Sequence, residues 1–267
     1  MNICHDFRYG KIMYNVLDEY IGKSLQHYGE YSQGEADLFE QVVKPGDTVV
    51  EAGANIGSHT VHLAQLVGDT GEVWAFEPQR LVFQLLAGNM ALNSLTNVHC
   101  EQKCLSDTPG TVQVPVWNAT QVHNWGGMSL IDTTAGEPVP AIALDSLPLK
   151  RLDFLKIDVE GMELNVLKGA QRLIAKFHPV IYTEADRKDK NPTLFAWLRN
   201  HGYRLYWHTP PLYNPQNYFG NPVCVFGTLD RPVVSLNVLC IHRETTADIQ
   251  GFPEVEPDAS WVKGVAG

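Results

Sequence analysis

Long apolar runs are missing from this chain. No stretch approaches the ~18 consecutive apolar residues of a membrane-spanning helix, and the opening MNICHDFRYGK lacks the apolar core of a secretion signal. A cytoplasmic protein with no membrane span is the expectation. A cationic stripe is missing as well. The formal net charge is −10 and lysines and arginines fall singly or in pairs, which disfavours nucleic acid as a partner. Cysteine is scarce and odd in number: Cys4, Cys100, Cys104, Cys224 and Cys240. Cys100 and Cys104 lie close together, but no second pair at zinc-site spacing accompanies them, so no metal ligand set is assigned and reduced, mostly buried thiols are expected. No internal repeat divides the 267 residues. A chain of that length can bury a core without disulfides or metals.

What is present is alternation. Short apolar runs at 48–52, 72–76, 98–105, 152–157 and 180–183 read as strands, and helical periodicity fills 58–66, 80–93, 162–177 and 192–201. Strands separated by helix-length segments predict a doubly wound, mostly parallel α/β sheet of Rossmann-like type, spanning about 47–243. The series is broken at about 108–143, where TVQVPVWNATQVHNWGGMSL and PVPAIALDSL show β-type alternation. A β-hairpin insertion in place of the expected crossover helix is predicted there. Residues 1–46 read as an aromatic-rich arm, with a short strand or hairpin near 11–16, followed by a first helix over 34–43. Residues 203–243 are again strand-like, and 244–267 read as a loose C-terminal tail.

The stretch VVEAGANIGSHT, residues 49–60, carries the first chemical signal. A glycine turn between strand and helix brings backbone close to a ligand, and the helix behind it offers unpaired N–H groups. Dinucleotide sites write this turn GxGxxG and place a pyrophosphate on it. Here it reads GxNxG, and Glu51 stands two residues ahead, where a carboxylate would repel pyrophosphate. It suits a ligand end that is positively charged or donates hydrogen bonds. S-adenosylmethionine has an α-ammonium, a sulfonium and no phosphate. Gly53, Ala54, Asn55, Gly57 and Ser58 would cradle it, Asn55 standing in for glycine because Asn tolerates left-handed backbone angles.

Three further strand ends extend the reading. Glu77, followed by Pro78, lies 24 residues after Gly53, where an acid can accept from both ribose hydroxyls. Ser106 and Asp107 close the third strand, and Asp107 is the candidate for the adenine amino group. Asp158 and Glu160 in LKIDVEGME, with Glu184 in VIYTEAD, gather at the carboxyl ends of the next two strands, where open α/β sheets bind ligands. They could hold the methionine end, or accept a proton from an attacking hydroxyl. Glu160 and Glu163 could instead cap the next helix, and a carboxylate trio could also take Mg²⁺ or Ca²⁺. His123 is a third candidate base. Asn124 and Trp125, in the flexible HNWGG stretch, are candidate acceptor contacts. Tyr206, Trp207, His208 and Tyr213 could stack on a sugar ring or fill a core.

Taken together, VVEAGANIGSHT, VWAFEPQ, CLSDTPG, NWGGMSL, LDSL and FLKIDVEGMELNVLKGA resemble, in order over about 47–185, the FkbM-type S-adenosylmethionine-dependent methyltransferases. YGEYSQGE and SLNVLC resemble flanking segments of some members. The resemblance implies a class I methyltransferase fold and methyl transfer, usually to a hydroxyl of a sugar, glycan or secondary metabolite. Glu51 departs from the Asp of many members, and either carboxylate serves. The family motif does not itself assign a base. Two other functions stay open: a non-catalytic S-adenosylmethionine-binding or scaffolding protein, and an NAD-dependent oxidoreductase, which the loop disfavours. The N-terminal arm could also serve a homodimer contact.

Overall fold

A computed structural model of the chain describes residues 1–262 except 117, 132, 247 and 248. Strands β1 (Asn2–Phe7) and β2 (Gly10–Asn15) form an antiparallel hairpin, followed by helices α1 (Ile21–Tyr28) and α2 (Gln33–Val42). The core then runs β3 (Thr48–Ala52), α3 (Ser58–Val67), β4 (Glu72–Phe76), α4 (Arg80–Leu92) and β5 (Val98–Glu101). Next come β6 (Cys104–Leu105), β7 (Gly110–Val114), β8 (Glu137–Ile142), β9 (Phe154–Ile157), α5 (Glu163–Gly169) and α6 (Gln171–Phe177). The chain continues through β10 (Val180–Glu184), α7 (Asn191–Asn200), β11 (Tyr203–His208) and β12 (Asn237–His242).

Seven strands make the central sheet in the order β11-β12-β10-β9-β3-β4-β5. All neighbours are parallel except β12, which runs antiparallel between β10 and β11. The expected doubly wound, mostly parallel sheet is thus present. Its central strands are buried along their whole length, as parallel strands covered on both faces must be. Each carries one charged residue, Glu51 and Lys156, and the register sets these opposite one another.

Several boundaries differ from expectation for tertiary reasons. The arm forms a full hairpin, because Asn89 of α4 and Asn93 at its C-cap grip β2: Met13 N–H donates to Asn89 Oδ1 at 2.6 Å, Asn89 Nδ2 returns to the Met13 carbonyl at 3.0 Å, and Lys11 N–H donates to Asn93 Oδ1 at 2.9 Å. The third strand breaks at 102–103; its second half, β6, leaves the main sheet and pairs with β8. The insertion is therefore a three-stranded sheet, β6-β8-β7, rather than a lone hairpin, and β7 and β8 are joined by the segment 115–136. The segment expected as one helix over 162–177 divides at Ala170 into α5 and α6.

The tail is docked over much of its length. Trp207 N–H donates to Pro253 O and Val255 N–H to Leu205 O, both at 2.8 Å, and Arg199 reaches the Val255 carbonyl at 2.7 Å. Residues 263–267 of the tail lie outside the described residues. Among the described residues, no helix is long and apolar enough to cross a membrane.

Candidate active site

The chain reverses strand order between β3 and β9, and a cavity opens at the carboxyl ends of those strands, the crevice that open α/β sheets present to ligands. Its floor is the turn after β3. Gly53 sits at φ +81, and a Cβ there would lie 1.8 Å from the Asp158 carbonyl oxygen. No residue but glycine can let β3 and β9 approach this closely. Asn55 adopts φ +49, the left-handed conformation that the GxNxG reading requires. Its backbone N–H donates to Glu77 Oε2 at 3.1 Å, and Gln79 N–H donates to Oε1 at 2.8 Å. Glu77 is thereby aimed from the end of β4 by two backbone groups, each oxygen keeping further acceptor capacity. Burial raises its carboxyl to about 7.

Behind the turn lies a buried charge network. Glu51 accepts from Thr60 Oγ1 at 2.6 Å and faces Lys156 Nζ at 3.5 Å, and Lys156 also donates to Asp158 at 3.4 Å. Burial works to discharge the Lys156 ammonium, but Asp158, Glu51 and Glu35 more than offset it and hold it charged. Glu35, from α2, accepts from Ser32 Oγ at 2.7 Å and is raised by burial.

Asp158, Glu160 and Glu184 converge, with one carboxylate oxygen of each within 4.8 Å of the others. Glu160 is bound by Arg187, and burial, with Asp158 and Asp186 nearby, raises its carboxyl to about 7. Glu184 is pushed well above the ordinary carboxylate range by burial and then by Asp158 and Glu160. Its Oε2 has no hydrogen-bond partner. Asp158 is the most open of the network's acids, with 43% of its side chain exposed.

The cavity brings together Glu51, Gly53, Ala54, Asn55, Ser58, Glu77, Pro78, Asn124, Asp158, Glu160 and Glu184 from the sequence reading. Other expected residues lie elsewhere. Gly57 shapes the turn at φ +86 behind the lining. Asp107 is exposed and is held by Asn165 Nδ2 at 3.2 Å, with Ser106 beside it, while Lys103, Cys104 and Leu105 supply the wall at this strand end. The break after β5 causes this shift, since it redirects the chain toward β8 before residue 106 is reached. His123 is placed by its backbone against Leu17 and Glu19, away from the lining. Trp125 is 2% exposed and packs into the core with Ile21, Leu25 and Ile56, so its ring is an anchor for the inserted loop rather than an open stacking surface. Tyr206, Trp207 and Tyr213 are likewise core residues.

Sequence reasoning missed Tyr31 and Glu35 from the arm, His59, Lys156, and the segment 233–237 as cavity residues. Lys156 had a signal: a lone charge inside the otherwise apolar FLKI strand. Glu35 and 233–237 had none, because they reach the cavity only through the packing of α2 and β12 on the sheet.

A cleft at the switch point, a left-handed glycine turn, an acid ending the second core strand and no phosphate-binding GxGxxG define a class I S-adenosylmethionine-dependent methyltransferase fold. The residues fit that cofactor: Gly53 leaves backbone room that any Cβ would fill, and Glu77 is pre-aimed as an acceptor. The chain belongs to the FkbM methyltransferase family, whose domain model, "Methyltransferase FkbM domain", matches residues 51–205. It is 30% identical over 154 residues to "Methyltransferase sdnD" of Sordaria araneosa, covering 45% of this chain and 59% of that protein. It is 28% identical over 167 residues to "Hexuronic acid methyltransferase AglP" of Haloferax volcanii, covering 59% of this chain and 66% of that protein. The chain thus spans about three fifths to two thirds of these relatives. The crystal structure of the FkbM methyltransferase of Methylobacillus flagellatus KT shares the fold at a TM-score of 0.50 and 17% identity, over 77% of this chain and 50% of that one.

Proposed function

We propose that the protein transfers the methyl group of S-adenosylmethionine to a hydroxyl of a sugar, glycan or secondary-metabolite acceptor in the cytoplasm. The observation that carries this reading is the carboxylate cluster of Asp158, Glu160 and Glu184, opening into the same cavity as the Gly53 turn and Glu77. When bound, the cofactor supplies a methyl group already activated on a sulfonium. Glu77 would accept from the ribose hydroxyls, the turn from Gly53 to Ser58 would hold the methionine end, and Glu51 would face its ammonium. The chain then contributes alignment and exclusion of water. An alcohol also needs somewhere to put its proton. Asp158 is the best placed acceptor, being open to the cavity, whereas Glu160 is held by Arg187. Asn124 and Glu184 would contact the acceptor. Acids outnumber bases along the wall, with Lys103 and Lys156 both paired to carboxylates, which speaks against a nucleic-acid acceptor. The N-terminal hairpin could serve a homodimer contact.

Methyl-labelled S-adenosylmethionine incubated with the protein and fractionated cell extract tests the reading. Label recovered in a carbohydrate or small-molecule fraction, stable to mild base as an ether is, supports it. Tight S-adenosylhomocysteine binding with no labelled product in any fraction would favour a cofactor-binding scaffold instead.

A further inference from the structure

Gln79 is the side chain that joins the two sides of the cavity. It follows Glu77 by two residues, just ahead of α4, and its backbone N–H holds Glu77 Oε1 at 2.8 Å. The side chain lines the cavity and is 8% exposed. Its Nε2 donates to the Trp125 carbonyl, in the insertion, at 3.0 Å. Only the NH2 end of an amide can face a carbonyl, so the other end, Oε1, is fixed as an acceptor. That oxygen is buried and has no donor among the described residues. Folded proteins seldom leave a buried acceptor without a donor, because its lost hydration is then uncompensated. Here the atom belongs to the residue that aims the carboxylate proposed to receive the ribose.

Trp125 is clamped through both of its backbone groups. Its N–H donates to Asp18 Oδ1 at 3.3 Å, while its carbonyl accepts from Gln79. Asp18 is buried and also accepts from the Gly22 N–H at 2.7 Å, so the N-terminal arm and the insertion meet there. The Trp125 ring fills the core, and its neighbours Asn124 and Gly126 are left on the cavity lining. Asn124 Oδ1 accepts from the Gly126 and Gly127 N–H groups at 3.1 and 3.0 Å, which folds the segment into a tight turn. This turn lies against the cofactor side, since a Cβ on Gly126 would be 3.4 Å from Asn55 Nδ2. One side chain thus reaches from the residue after Pro78 to the wall proposed to face the acceptor.

We propose that Gln79 is a positioning residue: its Oε1 accepts from a ribose hydroxyl of bound S-adenosylmethionine while its Nε2 holds the Trp125 carbonyl, so that the cofactor fixes the 124–126 wall before the acceptor enters. The inference rests on the methyl transfer proposed for this cavity. A hydroxyl has one proton to donate, and the ribose offers a pair of hydroxyls, so Glu77 and Gln79 can be served together. An amide engaged at both ends is polarised, and each of its hydrogen bonds is strengthened by the other. Such coupling is reciprocal: a wall held in place also favours the bound cofactor.

Hydrogen–deuterium exchange over residues 121–128, with and without saturating S-adenosylhomocysteine, tests the coupling. In the wild type the ligand should slow the amides of Trp125, Gly126 and Gly127 by about 3- to 10-fold, the worth of one hydrogen bond. Gln79→Met keeps the length of the side chain without its polar atoms. It should bind S-adenosylhomocysteine about 3- to 10-fold more weakly, and the saturating ligand should no longer slow these amides. A purely structural clamp would instead speed exchange in the free variant and leave the ligand's effect in place, which would overturn the proposal. A second arm needs no variant. 5′-Deoxy-5′-methylthioadenosine keeps the ribose and lacks the amino-acid end, so at saturation it should slow the same amides as far as S-adenosylhomocysteine does. Protection by S-adenosylhomocysteine alone would assign the effect to the methionine end and overturn the proposal. Calorimetry separates the two readings: binding without protection of 124–127 sinks only the coupling, whereas no binding of either nucleoside to folded wild-type protein sinks the proposed function and the coupling with it.

Discussion

The proposed cofactor side and the proposed acceptor side of the cavity are built in different ways. The cofactor side consists of strand ends and one tight turn: Asn55 and Glu77 are held by backbone contacts within one βαβ unit, and Gly53 is closed in by the Asp158 carbonyl at the end of the adjacent strand β9. The acceptor side is assembled from segments far apart in the chain: Tyr20 and Ile21 near α1, Asn124 in the insertion, and 233–237 before β12. Close packing of backbone on backbone makes the first side rigid and tolerant of nothing larger than hydrogen at Gly53. Long-range construction leaves the second free to vary in shape without disturbing the sheet. A fold can thus keep one cofactor while changing its acceptor.

Breaking the charge pair beneath the cofactor side should have the largest effect. Lys156→Met leaves Glu51 and Glu35 buried without their cation and should cost about 3–5 kcal/mol, read from the denaturant midpoint. A loss near zero would mean the two acids are neutral in the native protein. Gly53→Ala should cost about 3 kcal/mol and abolish S-adenosylhomocysteine binding, because the new methyl would meet the Asp158 carbonyl. Gly110→Ala, in the insertion with open space around it, should change stability by less than about 0.5 kcal/mol. If the two alanines cost the same, the contrast in rigidity fails.

Glu77 sharpens the comparison through pH. Its ordinary value is 4.5 and burial raises it to about 7 in the fold, so the native state holds this proton more tightly than the unfolded chain. Its contribution to stability is therefore full below about pH 4.5 and is lost as pH rises through about 7. Ligand hydroxyls donate to the ionised form, so S-adenosylhomocysteine affinity should rise over the same window. Calorimetry on Glu77→Gln should show a flat profile and an affinity lower by about 1.5–3 kcal/mol at pH 8. At the other extreme, Asp107→Ala should shift that affinity by under about 0.5 kcal/mol, because Asp107 lies exposed off the lining. A tenfold loss would place the adenine amino group on Asp107 after all.

Alternating strands and helices, the GxNxG turn and the acid 24 residues beyond Gly53 were all readable from the chain, because each depends on contacts within one strand–helix–strand unit. Asp158, Glu160 and Glu184 were readable too, since parallel strands deliver their last residues to one edge of the sheet. Tertiary structure alone decided that Trp125 is buried while Asn124 lines the cavity, that β6 leaves the sheet before Ser106, and that Glu35 reaches Lys156 from α2. The physical reason is range. Local periodicity and turn geometry are encoded by neighbouring residues, whereas which face of a loop meets the core depends on how distant segments fill space against one another.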